Sequence, residues 1–371
     1  MRIAADFGVE SASIAVRVDA NGRQGIEAAA RDARYATLAS QARAGDWILT
    51  AQHRDDQAET LLLNLLRGSG PLGLAAMPAV RDLGEAKLLR PLLDVGRSEL
   101  ERYAETRALS WLDDPGNEDL RFDRNFLRRR IVPLLQSRWA SVGERVAQSA
   151  ALAAETQQLL EDLARTDLIQ LGADSPLRLP LSGLRALEPS RRNNLLRYAC
   201  RVAGLAQPPR GRLESIATDL LDAAADRAPL VRWSGAEIRR YRDDVFVLRE
   251  TGPLPAEARL AVGKGVELGP DLGRLEFEST GASGIRDDLA VRGLDIRFRR
   301  GGEKLRPSPG GSRRALKNLF QEEGILPWMR ERIPLLMDGD RLVAVGDLWV
   351  DAECVDAGGY RVAWRDRPPL R

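Results

Sequence analysis

The chain has 371 residues, 44% hydrophobic and 30% charged, which allows two or three domains and is the balance of a globular rather than a disordered protein. Two cysteines, Cys200 and Cys354, are too few and too far apart for a disulfide framework or a thiolate metal site. No apolar run approaches the roughly 20 residues that span a bilayer, and the N-terminus lacks a signal-peptide plan, so a cytoplasmic protein is expected.

The net charge is +2, yet only four of the 56 basic residues are lysine. Arginine suits bidentate phosphate contacts, but GC-rich codon usage accounts for a global excess, so only local clusters bear on RNA binding.

In chain order, Ala12 to Val18 alternates small and β-branched residues and predicts a strand, and Gln24 to Ala44 predicts a helix. Trp47 to Ala51 reads as a short buried strand, followed by a polar turn and a helix from about Asp55 to Arg67 that Gly68 stops, with Leu61, Leu62, Leu65 and Leu66 as its buried stripe. Strand, helix, strand, helix predicts a parallel sheet with helices on its faces, whose ligands gather beyond the carboxyl ends of the strands. His53, Asp55 and Asp56 sit at such an end.

Helices are then expected at Arg97 to Arg107, Phe122 to Gln136 and Trp139 to about Leu168, and further ones at Arg191 to Val202 and Arg210 to Ala225. A strand-like stretch covers Ile238 to Leu248, and the Gly- and Pro-rich stretch Thr251 to Gly273 reads as a linker. A last domain mixes strands such as Arg341 to Val345 with a helix around Ala315 to Glu323.

His53 is the one histidine of the chain. Asp56 and Glu59, three apart, share a helix face and form a cation site that could take an ammonium group, a magnesium ion or only solvent. Acidic residues in a first helical turn also complement the helix dipole, and spacing does not separate these readings. Five arginines, Arg121, Arg124, Arg128, Arg129 and Arg130, fall in ten residues around Asn125. A second cluster, Arg297, Arg299, Arg300, Lys304, Arg306, Arg313, Arg314 and Lys317, has only Glu303 opposing it within its own stretch.

The full string Thr50 to Gly70, TAQHRDDQAETLLLNLLRGSG, resembles the signature of isoleucine-tRNA lysidine synthetases in the PP-loop ATPase family. The likeness extends to EAAARDARY at Glu27 to Tyr35, LRPLL at Leu89 to Leu93, WLDDPGNEDLRFDRNFLRRRIVPLL at Trp111 to Leu135, and the stretch from Phe298 to Leu336. It implies an α/β fold: an incomplete Rossmann-like PP-loop parallel sheet over residues 1–138, a mainly helical middle domain over 139–250, an entry segment over 251–284 and a small α+β tRNA-binding domain over 285–371.

The resemblance further implies ATP-dependent ligation of free L-lysine to the wobble cytidine of the CAU anticodon of tRNA(Ile), which changes decoding from AUG to AUA. ATP and Mg2+ are the implied cofactors, and a homodimer is compatible with the family. By the same analogy Asp56 and Glu59 bind or orient the lysine ammonium, His53 lines that pocket, and Arg31 and Arg34 stabilise phosphate or substrate charge. Arg121, Arg124, Asn125, Arg128, Arg129, Arg313, Arg314 and Lys317 contact tRNA.

The sequence departs from the family in lacking the Ser-Gly-Gly-x-Asp-Ser loop that grips pyrophosphate. Gly263-Lys264-Gly265 and Gly301 to Lys304 lack the spacing and flanking elements to replace it. An N-terminal segment missing from the sequence is the expectation; the alternative is a catalytically inactive tRNA-binding remnant. A metal-dependent phosphohydrolase on His53, Asp55 and Asp56 has too few ligands.

Overall fold

The computed structural model describes residues 2–18, 26–112, 114–224, 227, 229–269 and 271–370. They fall into two compact units, Met1–Leu163 and Ala164–Arg371. The expected helix limits at Gln24 and Ala225 lie outside the described residues.

In the first unit, helix α1 (Ile26–Gln41) leads to strand β1 (Trp47–Leu49) and helix α2 (Arg54–Leu66). A hairpin of β2 (Val80–Leu83) and β3 (Ala86–Leu89) follows, then helix α3 (Arg97–Thr106). β1 and β3 pair in parallel, with Ile48 opposite Leu88, and β2 pairs antiparallel on the far side of β3. The chain between β1 and β3 passes through α2, the crossover that a parallel pair requires. The turn after β1 therefore opens at the carboxyl end of the sheet.

Two local expectations fail here. Ala12–Val18 is exposed and has no ladder, because no neighbouring strand among the described residues satisfies its backbone groups. The apolar residues of β1 and the end of α2 are not buried: Trp47 is 57% exposed, Leu49 63%, Leu65 54% and Leu66 75%. Among the described residues β1 is bonded only to β3, and α2 instead turns the face carrying Asp56, Ala58, Glu59 and Leu61 inward.

Helix α2 is seated by side-chain amides. Gln57 donates Nε2 to the Met77 carbonyl and accepts the Met77 N–H on Oε1, both at 2.8 Å, while Asn64 donates to the Gly73 carbonyl at 2.7 Å. Opposite this helix runs a continuous helical stretch, Asp123–Phe126, a π-helical turn Leu127–Ile131 and Val132–Arg138. Pro133 explains the π turn. It has no N–H to donate, and its ring would clash with the carbonyl of Arg129 in a regular α-helix, so the preceding turn widens and Val132 bonds back to Leu127.

The second unit contains a four-stranded antiparallel sheet in the order Arg178–Pro180, Asp244–Arg249, Ala236–Tyr241, Leu230–Trp233. Helix Pro189–Val202 packs on it through Leu195, Leu196 and Ala199, each 0% exposed. The strand expected at Ile238–Leu248 is thus the central hairpin of a sheet, which the mainly helical middle region carries beside its helices. The stretch read as a linker contributes strands Ala258–Leu260 and Val266–Glu267 to the two five-stranded sheets of the terminal region, and buries Leu260, Leu268 and Leu272 in its core. Glycine and proline mark turns between short strands as well as linkers, which composition alone does not separate.

Cys200 and Cys354 are free and buried, and burial pushes the Cys200 thiol up to about 12. No helix among the described residues is long and apolar enough to cross a membrane.

Candidate functional site

The turn from β1 into α2 begins with His53, whose extended backbone makes it the N-cap of α2. Its N–H donates to Asp56 Oδ2 at 3.0 Å, closing the first helical turn. Asp55 faces the other way and accepts the Arg97 N–H at 2.8 Å, while Arg54 reaches Glu99 at 3.0 Å.

The His53 ring lies between two carboxylates, Nδ1 3.6 Å from Asp55 Oδ2 and Nε2 3.4 Å from Asp56 Oδ2. Interaction with the His53 side chain is the main reason that the Asp55 pKa falls from 3.8 to about 2; burial opposes the shift and the Arg97 N–H supports it.

The sign of the linkage follows from the depressed value. Ionised Asp55 stabilises the fold fully above about pH 3.8, and this contribution is lost as pH falls through about 2. Urea midpoints measured across that window should fall more steeply for the unsubstituted chain than for Asp55→Asn. Parallel curves would show that Asp55 contributes nothing.

Asp56 and Glu59 project together from α2, and what meets them is the arginine helix. Arg124 donates Nε to Glu59 Oε2 at 2.8 Å and Nη2 to Asp56 Oδ1 at 3.0 Å. Arg128 donates Nε to Glu59 Oε1 at 2.6 Å, and Nη2 to Glu59 Oε2 at 2.9 Å and to Asp56 Oδ1 at 3.0 Å. Carboxylates three apart on one helix face arginines four apart on the other, so each guanidinium bridges both acids. The Glu59 side chain is 3% exposed and that of Asp56 12%, with the two arginines at 20% and 25%. The four side chains form a nearly closed group of zero net charge.

A cavity of about 220 Å³ borders this group, lined by Arg31, Arg34 and Tyr35 from α1, Gln52 from the turn, Asp56 and Arg124. Arg31 and Arg34 therefore stand with Asp56 as the sequence places them, whereas His53 is not in the lining. Thr50 Oγ1, Gln52 Oε1 and His53 Nδ1 are buried without a hydrogen-bond partner, an unusual concentration for one turn. Gln52 and Tyr35 were not singled out from the sequence, although both lie inside the strings quoted above.

The other basic residues are largely engaged. Arg121 pairs with Asp119 and Arg129 with Glu118, and Asn125 donates to the Gly116 and Asp119 carbonyls at 2.9 and 3.0 Å, fastening the loop before its own helix. In the terminal region Arg313 lies 3.6 Å from Glu353, Arg314 pairs with Glu322, and Lys317 is exposed. Glu353, Glu322 and Glu257 lie outside the basic stretch or at its far side, so the cluster that looks unopposed in sequence is partly neutralised by the fold.

Among the described residues, no group of three His, Cys, Asp or Glu side chains is placed to hold a metal ion, and Asp56 and Glu59 already carry guanidiniums. A protein-bound Mg2+ does not fit these residues.

Known proteins match this chain in three regions. Residues 1–135 match the PP-loop domain, 179–246 the TilS substrate binding domain and 294–364 the TilS substrate C-terminal domain. The tRNA(Ile)-lysidine synthase of Alkalilimnicola ehrlichii is 41% identical over 99% of this chain and 82% of its own length. Those of Methylococcus capsulatus and Ralstonia nicotianae are 40% and 41% identical, over 92% and 98% of this chain and 79% and 81% of their own. With relatives 40–41% identical over 92–99% of this chain, the chain belongs to the tRNA(Ile)-lysidine synthase family, a PP-loop family of ATP-using ligases that act on tRNA.

Proposed function

We propose that the protein joins free L-lysine to the wobble cytidine of a CAU-anticodon isoleucine tRNA. The cytidine C2 oxygen attacks the α-phosphorus of ATP and pyrophosphate leaves. The lysine Nε then attacks C2, the C2–O bond breaks, AMP leaves with the oxygen, and the amine sheds its proton. ATP supplies the activation; the phosphate-gripping string is not in this sequence, so the roles below are confined to residues it contains. Mg2+ enters in this reading on the phosphates of ATP and not on protein carboxylates.

The observation that carries the reading is Asp56, bridged to Glu59 by two arginines, at the edge of a cavity of about 220 Å³ that Arg31 and Arg34 also line. Asp56 Oδ2, which meets no guanidinium, offers an acceptor that orients the ammonium end of lysine, Glu59 holds the arginines beside it, and the two arginines of α1 face the anionic substrate groups. His53, between Asp55 and Asp56, orients the acidic turn and stands one residue from the cavity wall. The tRNA is held by residues 285–371, the exposed Lys317 among them, and by those arginines that leave their acidic partners for phosphate, among them Arg121, Arg129, Arg313 and Arg314. A homodimer is carried over with the family and is tested by light scattering.

The deciding experiment is incorporation of labelled lysine into a CAU-anticodon isoleucine tRNA transcript, with ATP and Mg2+, alongside a transcript whose wobble cytidine is replaced by uridine. Lysine should enter the first transcript only, with AMP formed in equal amount. Specific tRNA binding without incorporation would favour the inactive RNA-binding remnant.

A further inference from the structure

A second cavity, of about 350 Å³, opens on the other side of Tyr35, between α1 and the β2–β3 hairpin. It shares Arg31 and Tyr35 with the cavity bordering Asp56, and adds Arg81 and Arg90. Arg31 and Arg81 both lie over the Tyr35 ring, their guanidinium carbons 5.2 and 4.5 Å from its centre. Arg90 is only 3% exposed, and its head is held in place by donation to the Pro78 carbonyl at 2.7 Å.

What distinguishes these arginines is an excess of positive charge without ion pairing: the cavity lining holds three guanidiniums and one carboxylate, Asp32. Arg121, Arg124, Arg128 and Arg129 each have an acidic partner, whereas among the described residues no ion pair joins Arg31, Arg81 or Arg90 to a carboxylate. The Nε atoms of Arg81 and Arg90 are buried with no hydrogen-bond partner at all. Three guanidiniums converging on one phenol with donors unused cost desolvation that the Tyr35 ring, the Pro78 carbonyl and the single carboxylate Asp32 offset only in part. Burial pushes the Tyr35 phenol up, but hydrogen bonding with Arg90 and the charges of Arg31, Arg90 and Arg81 outweigh it and leave the pKa below 10.0, as a strongly positive pocket requires.

The geometry points to a phosphate-binding pocket formed by Arg31, Arg81 and Arg90 around Tyr35, adjoining the acid–arginine site. A tetrahedral phosphate offers enough acceptor oxygens to engage more than one guanidinium fork at once, and its charge suits three cations better than a single planar carboxylate does. The phosphate can come from the tRNA backbone beside the modified nucleotide or from pyrophosphate. The first source rests on the ligase reading; the phosphate chemistry does not.

Arg81→Gln tests the pocket, with Arg81→Lys as a second variant that keeps the charge and loses the fork, and thermal midpoints to show that both fold. Affinity for the CAU-anticodon isoleucine tRNA is measured against salt, and inorganic pyrophosphate binding is measured separately by calorimetry. A backbone phosphate in the pocket predicts that Arg81→Gln weakens tRNA binding roughly 5- to 10-fold at low salt and reduces the log–log slope by about 1, with Arg81→Lys in between. Weakened pyrophosphate binding with an unchanged tRNA slope also supports the pocket and identifies the small molecule as the source. A folded Arg81→Gln protein that changes neither measurement, or changes only the lysine KM, overturns the proposal. If the unsubstituted protein binds no tRNA, the ligase reading falls and the pyrophosphate arm still decides the pocket.

Discussion

Replacing Glu59 by glutamine is expected to cost about 2–4 kcal/mol of stability and to abolish lysine transfer. Glu59 accepts three hydrogen bonds from two guanidiniums and is 2% exposed. The substituted amide presents donors where acceptors are needed and leaves two positive charges with Asp56 alone. Removing one partner of a buried ion pair typically costs 3–5 kcal/mol, and the partial exposure of the arginine heads lets water recover some of that. Asp56→Asn should be milder, by about 1–2 kcal/mol, since only Oδ1 meets the guanidiniums. The Asp56 variant is thus the better probe of chemistry: it should retain tRNA binding while lysine transfer disappears. Urea denaturation orders the two, and a Glu59→Gln protein within about 0.5 kcal/mol of the parent would mean that the four-residue group adds nothing to stability.

The contrast between these two carboxylates was not legible in the sequence. Their shared helix face followed from spacing, and so did the cation site they create. The cations that fill it come from 65 to 72 residues away. Within one sequence, nothing ties Arg124 and Arg128 to Glu59 except the geometric match between arginines at i, i+4 and acids at i, i+3. That match could have been proposed, but the count of five arginines in ten residues pointed instead to an RNA surface. The acidic partners of the terminal basic cluster were equally illegible, because Glu353 and Glu322 reach it only after folding.

Secondary structure was legible where local signals agreed. The polar turn at Gln52 to Asp55 and the helix after it combine a cap, an acidic first turn and a glycine stop, and α3 and the long helix Val142–Leu171 follow helical periodicity closely. Ala12–Val18 shows the limit of that logic. Alternation and β-branching describe a segment that could pair, and a strand exists only when a neighbour completes its hydrogen bonds. Leu65 and Leu66 show another: runs of leucine at Leu61–Leu63 and Leu65–Leu66 fit several stripes around the helix, and the inward face was chosen by Asp56 and Glu59 meeting arginine.

Arg128→Gln should separate the two roles that the structure leaves for this side chain, and its effect on catalysis should be large. Free lysine has a side-chain pKa near 10.4, and its amine must be neutral when it attacks C2. In the native group two carboxylates and two guanidiniums cancel, so an arriving ammonium is guided by hydrogen bonds but not strongly held as a cation. Removing Arg128 leaves a net charge of about −1 beside the amine, which favours the protonated form by roughly 1–2 pKa units. The lysine KM should then fall several-fold while kcat at neutral pH drops by about 10- to 100-fold, and the ascending limb of the pH–rate profile should move upward by a unit or more, so that raising the pH restores much of the rate. If Arg128 instead serves chiefly as a phosphate contact, the same substitution weakens tRNA binding, lowers its salt slope by about 1 and leaves the pH limb where it was. Measuring lysine KM, kcat and tRNA affinity on one variant therefore assigns Arg128 either to tuning the nucleophile's proton or to holding the RNA, because the two roles move different parameters.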